Sequence, residues 1–151
     1  MSISIRDATP ADAETIAEYN SCLSEETEDG PLDRNLIVPG VEAVLADCTK
    51  GRYWLAESDG RPVGQIMVTY EWSDWRNGML WWIQSVYVHA DFRRQGVFAT
   101  LYGHVESLAR QAGNVAGIRL YVEKDNERAQ ETYRNMGMTM TGYKVMQSLF
   151  S

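Results

Sequence analysis

The chain has 151 residues and a formal net charge of −7 at pH 7, with 44% hydrophobic and 23% charged residues. This length is typical of one domain, and the composition is that of a globular protein rather than a disordered or collagen-like chain. The acidic balance argues against nucleic acid or a phospholipid surface as the partner, because phosphate contacts need clustered cations. It is compatible with a cationic or amine substrate, and any bound anion must be held by a local site.

Several features of the sequence bear on the cellular compartment. No apolar run approaches the ~20 residues of a transmembrane helix, and the first residues lack the basic and apolar regions of a signal peptide. Cys22 and Cys48 are too few for a disulfide framework or a zinc site, so we expect reduced thiols and no metal. These features predict a cytoplasmic protein without a membrane partner.

The first part of the chain predicts a short strand and a helix. Residues 3–6 alternate between apolar and polar side chains, as a strand does. Thr9 is placed to be an N-cap and Pro10 to occupy the first helical position, so we expect a helix to about Leu23. The acidic segment 24–40 contains helix breakers and is predicted to be a long loop or a broken helix. The breakers are Gly30, Pro31, Pro39 and Gly40.

A second helix and three strands joined by hairpins are predicted next. Residues 41–48 have apolar side chains at helical spacing. Strands are expected over residues 53–57, 63–70 and 79–88. The last of them contains the run Trp81-Trp82-Ile83, which is apolar on both faces and therefore predicts a position in the interior of the sheet.

Helices and strands alternate in the remainder of the chain. An apolar stripe at helical spacing over residues 97–112 predicts a helix closed by Gly113. The further predicted elements are a strand over 118–122, a helix over 126–136 and a strand over 143–149. The order β-α-α-β-β-β-α-β-α-β indicates an α/β (α+β) fold with a central mixed, mostly antiparallel sheet flanked by helices.

The segment from Gln84 to Phe98 is a candidate site region. A buried strand ends, a short basic loop follows, and a helix begins with Gly96 near its first turn. The free N–H groups and the positive dipole end of such a helix bind anions, most often phosphate. Gly96 lets a ligand approach the backbone, while Arg93 and Arg94 add local cations. A solvated helix cap with two surface arginines is the alternative interpretation.

The segment from Leu120 to Met138 has the same strand, loop and helix order. Asp125 or Asn126 is a natural N-cap for its helix. Tyr133 lies two turns into that helix, on its apolar face. A core tyrosine with a satisfied hydroxyl is the alternative to a catalytic residue there.

Together these segments resemble the GNAT superfamily of acetyl-CoA-dependent N-acetyltransferases. Residues 5–12 are similar to the usual start of bacterial members. Arg93-x-x-Gly96 resembles the pyrophosphate-binding loop of the family, and Asn126-x-x-Ala129-x-x-x-Tyr133-x-x-x-Gly137-Met138 resembles its later motif. The resemblance covers almost the whole chain and implies a single GNAT domain over residues 1–151.

The resemblance implies a donor site and a set of catalytic groups. A bulge near Ser85-Val86 would expose the Val86 N–H to the thioester carbonyl, and the strand would pair with the pantetheine amides. Tyr133 would protonate the leaving thiolate. The residues implied in acetyl-CoA binding are Val86, Tyr87, Val88, Arg93, Arg94, Gln95, Gly96, Val97, Phe98, Ala99, Asn126, Ala129 and Tyr133.

The sequence departs from the family pattern at two positions. Phe98 stands where the loop usually has a second Gly or Ala, and we expect its side chain to turn into the core while its N–H still faces phosphate. Gln84 stands where many members carry a glutamate as a base, and an amide cannot take a proton at neutral pH. The identity of the base is therefore open.

Two groups of residues are candidates for recognition of the acceptor. Acidic side chains in the 24–40 segment could attract an ammonium group, although a solvated charged loop explains them equally well. Trp72 and Trp75 lie in a polar turn, where large aromatics indicate a pocket or an interface. The acidic candidates are Glu25, Glu26 and Glu28.

Three functional hypotheses follow. The first is an N-acetyltransferase that acts on a primary amine of a small molecule or a peptide. The second is a catalytically weak or inactive GNAT-fold module that binds acyl-CoA, which Gln84 favours and Tyr133 opposes. The third, compatible with both, is a homodimer formed through the tryptophan turn.

Overall fold

The computed structural model describes residues 2–27 and 29–150. This part of the chain divides into two compact units, one that ends at Leu120 and one that begins at Tyr121. The first unit contains a sheet and three helices, and the second contains one helix.

The first unit is built on a five-stranded mixed sheet. Its strands are β1 (Ser4–Asp7), β2 (Arg52–Ser58), β3 (Arg61–Ser73), β4 (Gly78–Val88) and β5 (Val115–Leu120). They lie in the order β1-β2-β3-β4-β5, and every pair is antiparallel except β4 and β5. The predicted mixed, mostly antiparallel sheet is confirmed, and β4 lies in its interior as the apolar Trp81-Trp82-Ile83 run predicts.

Four helices accompany the strands. They are α1 (Ala13–Glu26), α2 (Arg34–Ala46), α3 (Val97–Ala112) and α4 (Glu127–Asn135). The predicted start of α1 is confirmed, with a 3-10 turn over Pro10–Asp12 ahead of the α-helix. Thr9 is the cap, and its N–H donates to Asp12 Oδ2 at 2.7 Å. The helix continues past Leu23, one turn further than predicted.

Apolar side chains cover both faces of the sheet. On one face, α1 and α2 pack on β2 through Ala13, Ile16, Val41, Tyr53 and Leu55. On the other face, α3 lies against β2, β3 and β4, with Leu101 and Val105 fully buried. These two layers cover the middle of the sheet on both faces, including the first half of β4.

The segment between α1 and α2 differs from the prediction in one respect. The break at Gly30-Pro31 is present, but Pro39 and Gly40 lie inside α2, which begins at Arg34 instead of after Gly40. Proline removes one backbone hydrogen bond there. Val41, Val44 and Leu45 pack on the α1 and β2 core, and this burial outweighs the local penalty.

The second unit contains α4, and the strand predicted over residues 143–149 is not formed. Residues 139–150 are exposed and irregular. A strand needs a neighbouring edge to satisfy its N–H and C=O groups, and an alternating sequence does not supply that partner. Within the described residues, no helix has both the length and the apolar content that a membrane span requires.

Candidate active site

Strand β4 contains a β-bulge near its C-terminal end. Gln65 of β3 pairs with Tyr87, while Met67 pairs with Gln84, so one residue of β3 faces both Ser85 and Val86. Ser85 has φ of +49°, which a residue with a side chain rarely adopts. The bulge expected at Ser85-Val86 is thus confirmed.

Strand β4 also separates from β5 before the bulge. The parallel pairing ends at Ile83 and Leu120, whereas β4 continues to Val88. Residues 84–88 therefore have no partner on β5. Their backbone edge offers N–H and C=O groups that an extended ligand could pair with.

A buried polar network lies against the bulge. Gln65 is 0% exposed, and its Nε2 donates to Asn20 Oδ1 at 2.9 Å and to Ser85 O at 3.0 Å. Asn20 Nδ2 in turn donates to the Tyr53 hydroxyl at 3.1 Å. Burial raises the pKa of Tyr53, while hydrogen bonds with Asn20 and Ser85 oppose that rise. Sequence reasoning missed this network, although a glutamine within the apolar run of β3 was a signal for it.

The loop after β4 leads into an uncapped helix terminus. Gly96 is the N-cap of α3 with φ of +81°, and it has no side chain to accept from the first turn. Arg94 is also left-handed, with φ of +61°. A Cβ at Gly96 would meet no atom within 4 Å, so the space in front of the terminus is open. The free N–H groups and the positive end of the helix dipole make this terminus suitable for an anion.

Arg93 connects this loop to the end of α1. Its Nη2 donates to Glu26 Oε1 at 2.7 Å, and its Nε donates to Val88 O at 2.9 Å. The Tyr87 hydroxyl donates to Glu26 Oε2 at 2.9 Å, which raises the pKa of Tyr87 beyond the effect of burial. Burial opposes ionisation of Glu26, but its bonds to Arg93 and Tyr87 prevail and lower its pKa. Arg93 and Glu26 thus neutralise each other, and Arg94 is the other cation of the loop.

The remaining residues of the loop are mostly exposed. Gln95 Nε2 donates to Asp91 O at 3.2 Å, and Ala99 lies on the open side of the first turn. Val97 is buried. The Phe98 ring lies 6.1 Å from the Tyr102 ring and is half-buried, so it packs along its own helix rather than fully in the core.

In the second unit, α4 has a side-chain cap. Asn126 Oδ1 accepts from the Ala129 N–H at 3.0 Å, which confirms the N-cap interpretation of Asn126. Tyr133 is half-buried, and burial raises its pKa. The phenol therefore stays protonated at neutral pH. Gly137, with φ of +94°, follows the end of the helix.

The residues expected to recognise the acceptor do not form one cluster. Trp72 pairs with Met79 at the other end of β4 from the bulge, about 20 Å from Val86 at the usual rise per residue. Trp72 and Trp75 are 55% and 88% exposed. Glu25 is exposed at the end of α1, Glu26 is bound to Arg93, and Glu28 lies outside the described residues.

Gln84 lies just before the bulge on β4. Its Nε2 donates to Thr69 Oγ1 at 3.3 Å, and the side chain is half-buried. Among the described residues, no group of three His, Cys, Asp or Glu side chains is arranged to hold a metal ion. Ionisable groups near the bulge include Tyr53, Tyr87, Cys22 and the paired Glu26.

The chain matches known acetyltransferases in sequence and in structure. The model of the Acetyltransferase (GNAT) family matches residues 14–138. A possible acetyltransferase from Clostridium difficile 630 is 42% identical, with a TM-score of 0.92 over 99% of this chain and 98% of that chain. No curated protein matches the chain.

Two more distant structures share the fold. Ribosomal-protein-alanine N-acetyltransferase from Brucella melitensis biovar Abortus 2308 is 16% identical, with a TM-score of 0.78 over 99% of this chain and 100% of that chain. AAC(6')-Iy in complex with the bisubstrate analogue CoA-S-monomethyl-acetylneamine is 14% identical, with a TM-score of 0.82 over the whole of both chains. Because the family model spans most of the sequence, this chain belongs to the GNAT family of acetyltransferases, whose acyl donor is acetyl-CoA.

Proposed function

We propose that this protein transfers the acetyl group of acetyl-CoA to a primary amine of a small molecule or a peptide. The observation that carries the proposal is the unpaired, bulged end of β4, which leads directly into the uncapped terminus of α3. The open strand edge can pair with an extended amide chain, and the helix terminus next to it can bind a pyrophosphate.

The donor is proposed to lie along residues 86–99. The pantetheine amides would pair with Val86 and Val88 on the edge of β4 that has no β5 partner. The pyrophosphate would accept from the N–H groups between Arg94 and Ala99, where Gly96 leaves open space. The residues present fit the donor, because Arg94 and the helix dipole supply positive charge within an acidic chain.

The proposed reaction is direct attack by a neutral amine. The amine nitrogen forms a bond to the thioester carbonyl carbon, and the oxygen takes the negative charge and accepts from the Val86 N–H. The C–S bond then breaks, and Tyr133 gives its proton to the thiolate sulfur. The amine loses one proton to a base, and the Tyr133 phenolate is reprotonated from solvent. The high pKa of the buried Tyr133 supports this role, because the phenol remains protonated at neutral pH.

The base is not assigned to Gln84. Its amide cannot accept a proton at neutral pH, and its Nε2 donates to Thr69. Gln84 also supports the alternative function, a GNAT-fold module that binds acyl-CoA with little or no turnover. The two functions differ in one result, the release of CoA in the presence of an amine.

The acceptor is proposed only as a class, the primary amines of small molecules and peptides. Named relatives of similar fold include an enzyme for ribosomal-protein alanine and one in complex with an acetylneamine analogue, so both peptide and small amines remain candidates. Glu25 and Glu28 lie near the end of α1 in the sequence and would add negative potential for an ammonium group. Trp72 and Trp75 would serve as a pocket wall or as a homodimer surface.

We further propose that residues 1–151 act as one bacterial-type GNAT domain in the cytoplasm. The family model crosses the boundary between the two units, which supports a single functional domain. The free Cys22 and Cys48 thiols support a reducing compartment.

Thiol release from acetyl-CoA, measured across a panel of small amines and peptide N-termini, tests the proposal. We expect amine-dependent release of free CoA with at least one class of acceptor. Tight acetyl-CoA binding in calorimetry without release on any amine would contradict the enzyme and support the binding module.

A further inference from the structure

We infer that Gln65 is a positioning residue, which orients the Ser85–Val86 peptide group so that the Val86 N–H is directed at the thioester carbonyl. The inference rests on the proposed function, because it requires Val86 to be the oxyanion donor. Gln65 lies on β3 and is fully buried, so it would act on the reaction without contacting the donor or the acceptor.

The planarity of the peptide bond links the hydrogen bond at Ser85 O to the direction of the Val86 N–H. The Ser85 carbonyl and the Val86 N–H belong to one planar trans unit and point in opposite directions. Gln65 Nε2 donates to Ser85 O at 3.0 Å, and this bond fixes the carbonyl end of the unit. When that end is fixed, the direction of the N–H at the other end is fixed as well.

The β-ladder does not supply this constraint. Within the described residues, the register gives neither Ser85 nor Val86 a partner on β3 or β5. Ser85 has φ of +49°, a strained conformation that persists only where its surroundings impose it. The side chain of Gln65 holds the carbonyl of this peptide from inside the protein, and the Ser85 side chain is hydrogen-bonded to the Tyr53 hydroxyl.

Gln65 is itself held on its other side. Its second N–H donates to Asn20 Oδ1 at 2.9 Å, and Asn20 is oriented by the bond from its Nδ2 to the Tyr53 hydroxyl. Gln65 and Tyr53 are 0% and 4% exposed, and Asn20 is 6% exposed. Since both N–H groups of Gln65 have acceptors, the side chain amide has one defined orientation.

The hydrogen-bond network around Gln65 carries an energetic cost that a purely structural role does not explain. Within the described part of the chain, Gln65 Oε1 is buried without a hydrogen-bond partner. An unsatisfied buried acceptor carries a desolvation cost that an apolar side chain of similar size would avoid. The bond to Ser85 O also polarises the peptide group, and polarisation makes the Val86 N–H a stronger donor. Both effects favour oxyanion stabilisation over core packing as the role of Gln65.

Gln65→Met tests the inference, because methionine keeps the volume and removes both donors. We expect the dissociation constant of acetyl-CoA to change by less than about 3-fold and kcat to fall by about 10-fold or more, because a misdirected oxyanion donor weakens the transition state alone. Val68→Ala is the matched control. Val68 is equally buried on the same strand and pairs with Ile83 in the regular part of the ladder. It should lower stability and leave kcat of the folded enzyme within about 2-fold.

Infrared spectroscopy of bound acetyl-CoA, labelled with ¹³C at the acetyl carbonyl, separates this inference from the proposed function. A hydrogen bond from Val86 lowers the carbonyl stretching frequency in the unmodified protein, and Gln65→Met should lose most of that shift. This readout needs no acceptor, so it decides on Gln65 even if no amine in the panel reacts. An unchanged frequency in Gln65→Met, or no shift in the unmodified protein, would overturn the inference.

Tyr53→Phe provides a second variant in case Gln65→Met does not fold. It keeps the ring in the core and removes the hydroxyl, which orients Asn20 and also hydrogen-bonds with the Ser85 side chain. We expect a loss of kcat and of the carbonyl shift intermediate between the unmodified protein and Gln65→Met. If Tyr53→Phe alone can be measured and retains the full shift, the positioning role of the network is overturned.

Discussion

The two halves of β4 differ in their neighbours and in their chemistry. From Gly78 to Ile83 the strand pairs with β3 on one side and β5 on the other. From Gln84 to Val88 it keeps β3 through a bulge and has no partner on β5. Leu80, Trp81 and Ile83 are buried apolar residues, whereas Gln84, Ser85 and Val86 are half-buried.

The difference indicates how one strand serves both stability and catalysis. The paired half, residues 78–83, fixes β4 in the core. The unpaired half, residues 84–88, has no partner on β5 and presents backbone groups that the sheet does not use. A ligand strand can add to such an edge without displacing a hydrogen bond of the sheet. The variants described below test whether the two halves are independent in this way.

The largest effect is expected for Gly96→Glu, at the end of the loop that follows the unpaired half. The new carboxylate would enter the open space before α3 and repel pyrophosphate, so acetyl-CoA affinity should fall by about 100-fold or more. Calorimetry measures the change.

Gly113→Glu is the matched control at the other end of the same helix. Gly113 has φ of +78°, close to the +81° of Gly96, and a Cβ there also meets no atom within 4 Å. Both variants should lose about 1–2 kcal/mol of stability from the left-handed backbone. Equal acetyl-CoA affinity in the two variants would mean that the pyrophosphate does not bind at the N-terminus of α3.

Tyr133→Phe is expected to lower kcat by about 10-fold or more and to leave acetyl-CoA affinity within a few-fold, provided that chemistry limits the rate. The acid must be protonated, and burial raises its pKa, so kcat of the unmodified enzyme should persist to a more alkaline pH than an ordinary tyrosine allows. Steady-state kinetics with a reactive amine provide the measurement.

Tyr143→Phe serves as the control for this variant, since Tyr143 is 77% exposed and removal of its hydroxyl should change nothing. Turnover of Tyr133→Phe at the rate of the unmodified enzyme would remove Tyr133 from the catalytic groups and leave the proton for the thiolate to come from another donor.

Ile83→Val examines the paired half. Ile83 is 4% exposed and pairs with Val68 and Leu120. Loss of one methylene group should lower the free energy of unfolding by about 0.5–1.5 kcal/mol in urea titration. The kcat of the folded enzyme should stay within about 2-fold. A kcat loss as large as that of Gln65→Met would mean that the two halves of β4 are coupled.

The smallest effect is expected for Trp75→Ser, at the hairpin tip next to the paired half. The side chain is 88% exposed and remote from the bulge, so kcat and acetyl-CoA affinity should both stay within about 2-fold. Sedimentation of the same variant tests the homodimer surface. A tenfold rise in KM for the amine would instead support the role of Trp75 as a wall of the acceptor pocket.

Much of the fold was predictable because its signals are local. The β4 run Trp81-Trp82-Ile83 has no polar face, and this indicated an interior strand. The α2 boundary was less predictable, since Pro39 ends a helix locally but is tolerated here by burial of its neighbours. The alternation over residues 143–149 predicted a strand that the structure does not form.

The candidate site was only partly predictable, because some of its contacts are local in the sequence and others join distant segments. The motif residues Arg93 and Gly96 could be recognised, and the bulge was implied by the family resemblance. The partner of Arg93 could not be recognised, because Glu26 lies 67 residues away and was interpreted as a group for an ammonium substrate. Gln65 was visible as a polar residue in an apolar strand, but its partners were not.

Contacts between residues that are close in the sequence can be predicted from the sequence, whereas contacts between distant segments cannot. The Thr9–Asp12 cap, the Gly96 start and Gly113 end of α3, and the Asn126 cap each depend on residues within a few positions of one another. The contact between Gln65 and Asn20 spans 45 residues, and it exists because α1 packs across the sheet next to the bulge. Packing of distant elements therefore determined which peptide group is held in the β4 bulge, because a hydrogen bond forms only where folding brings donor and acceptor to about 3 Å.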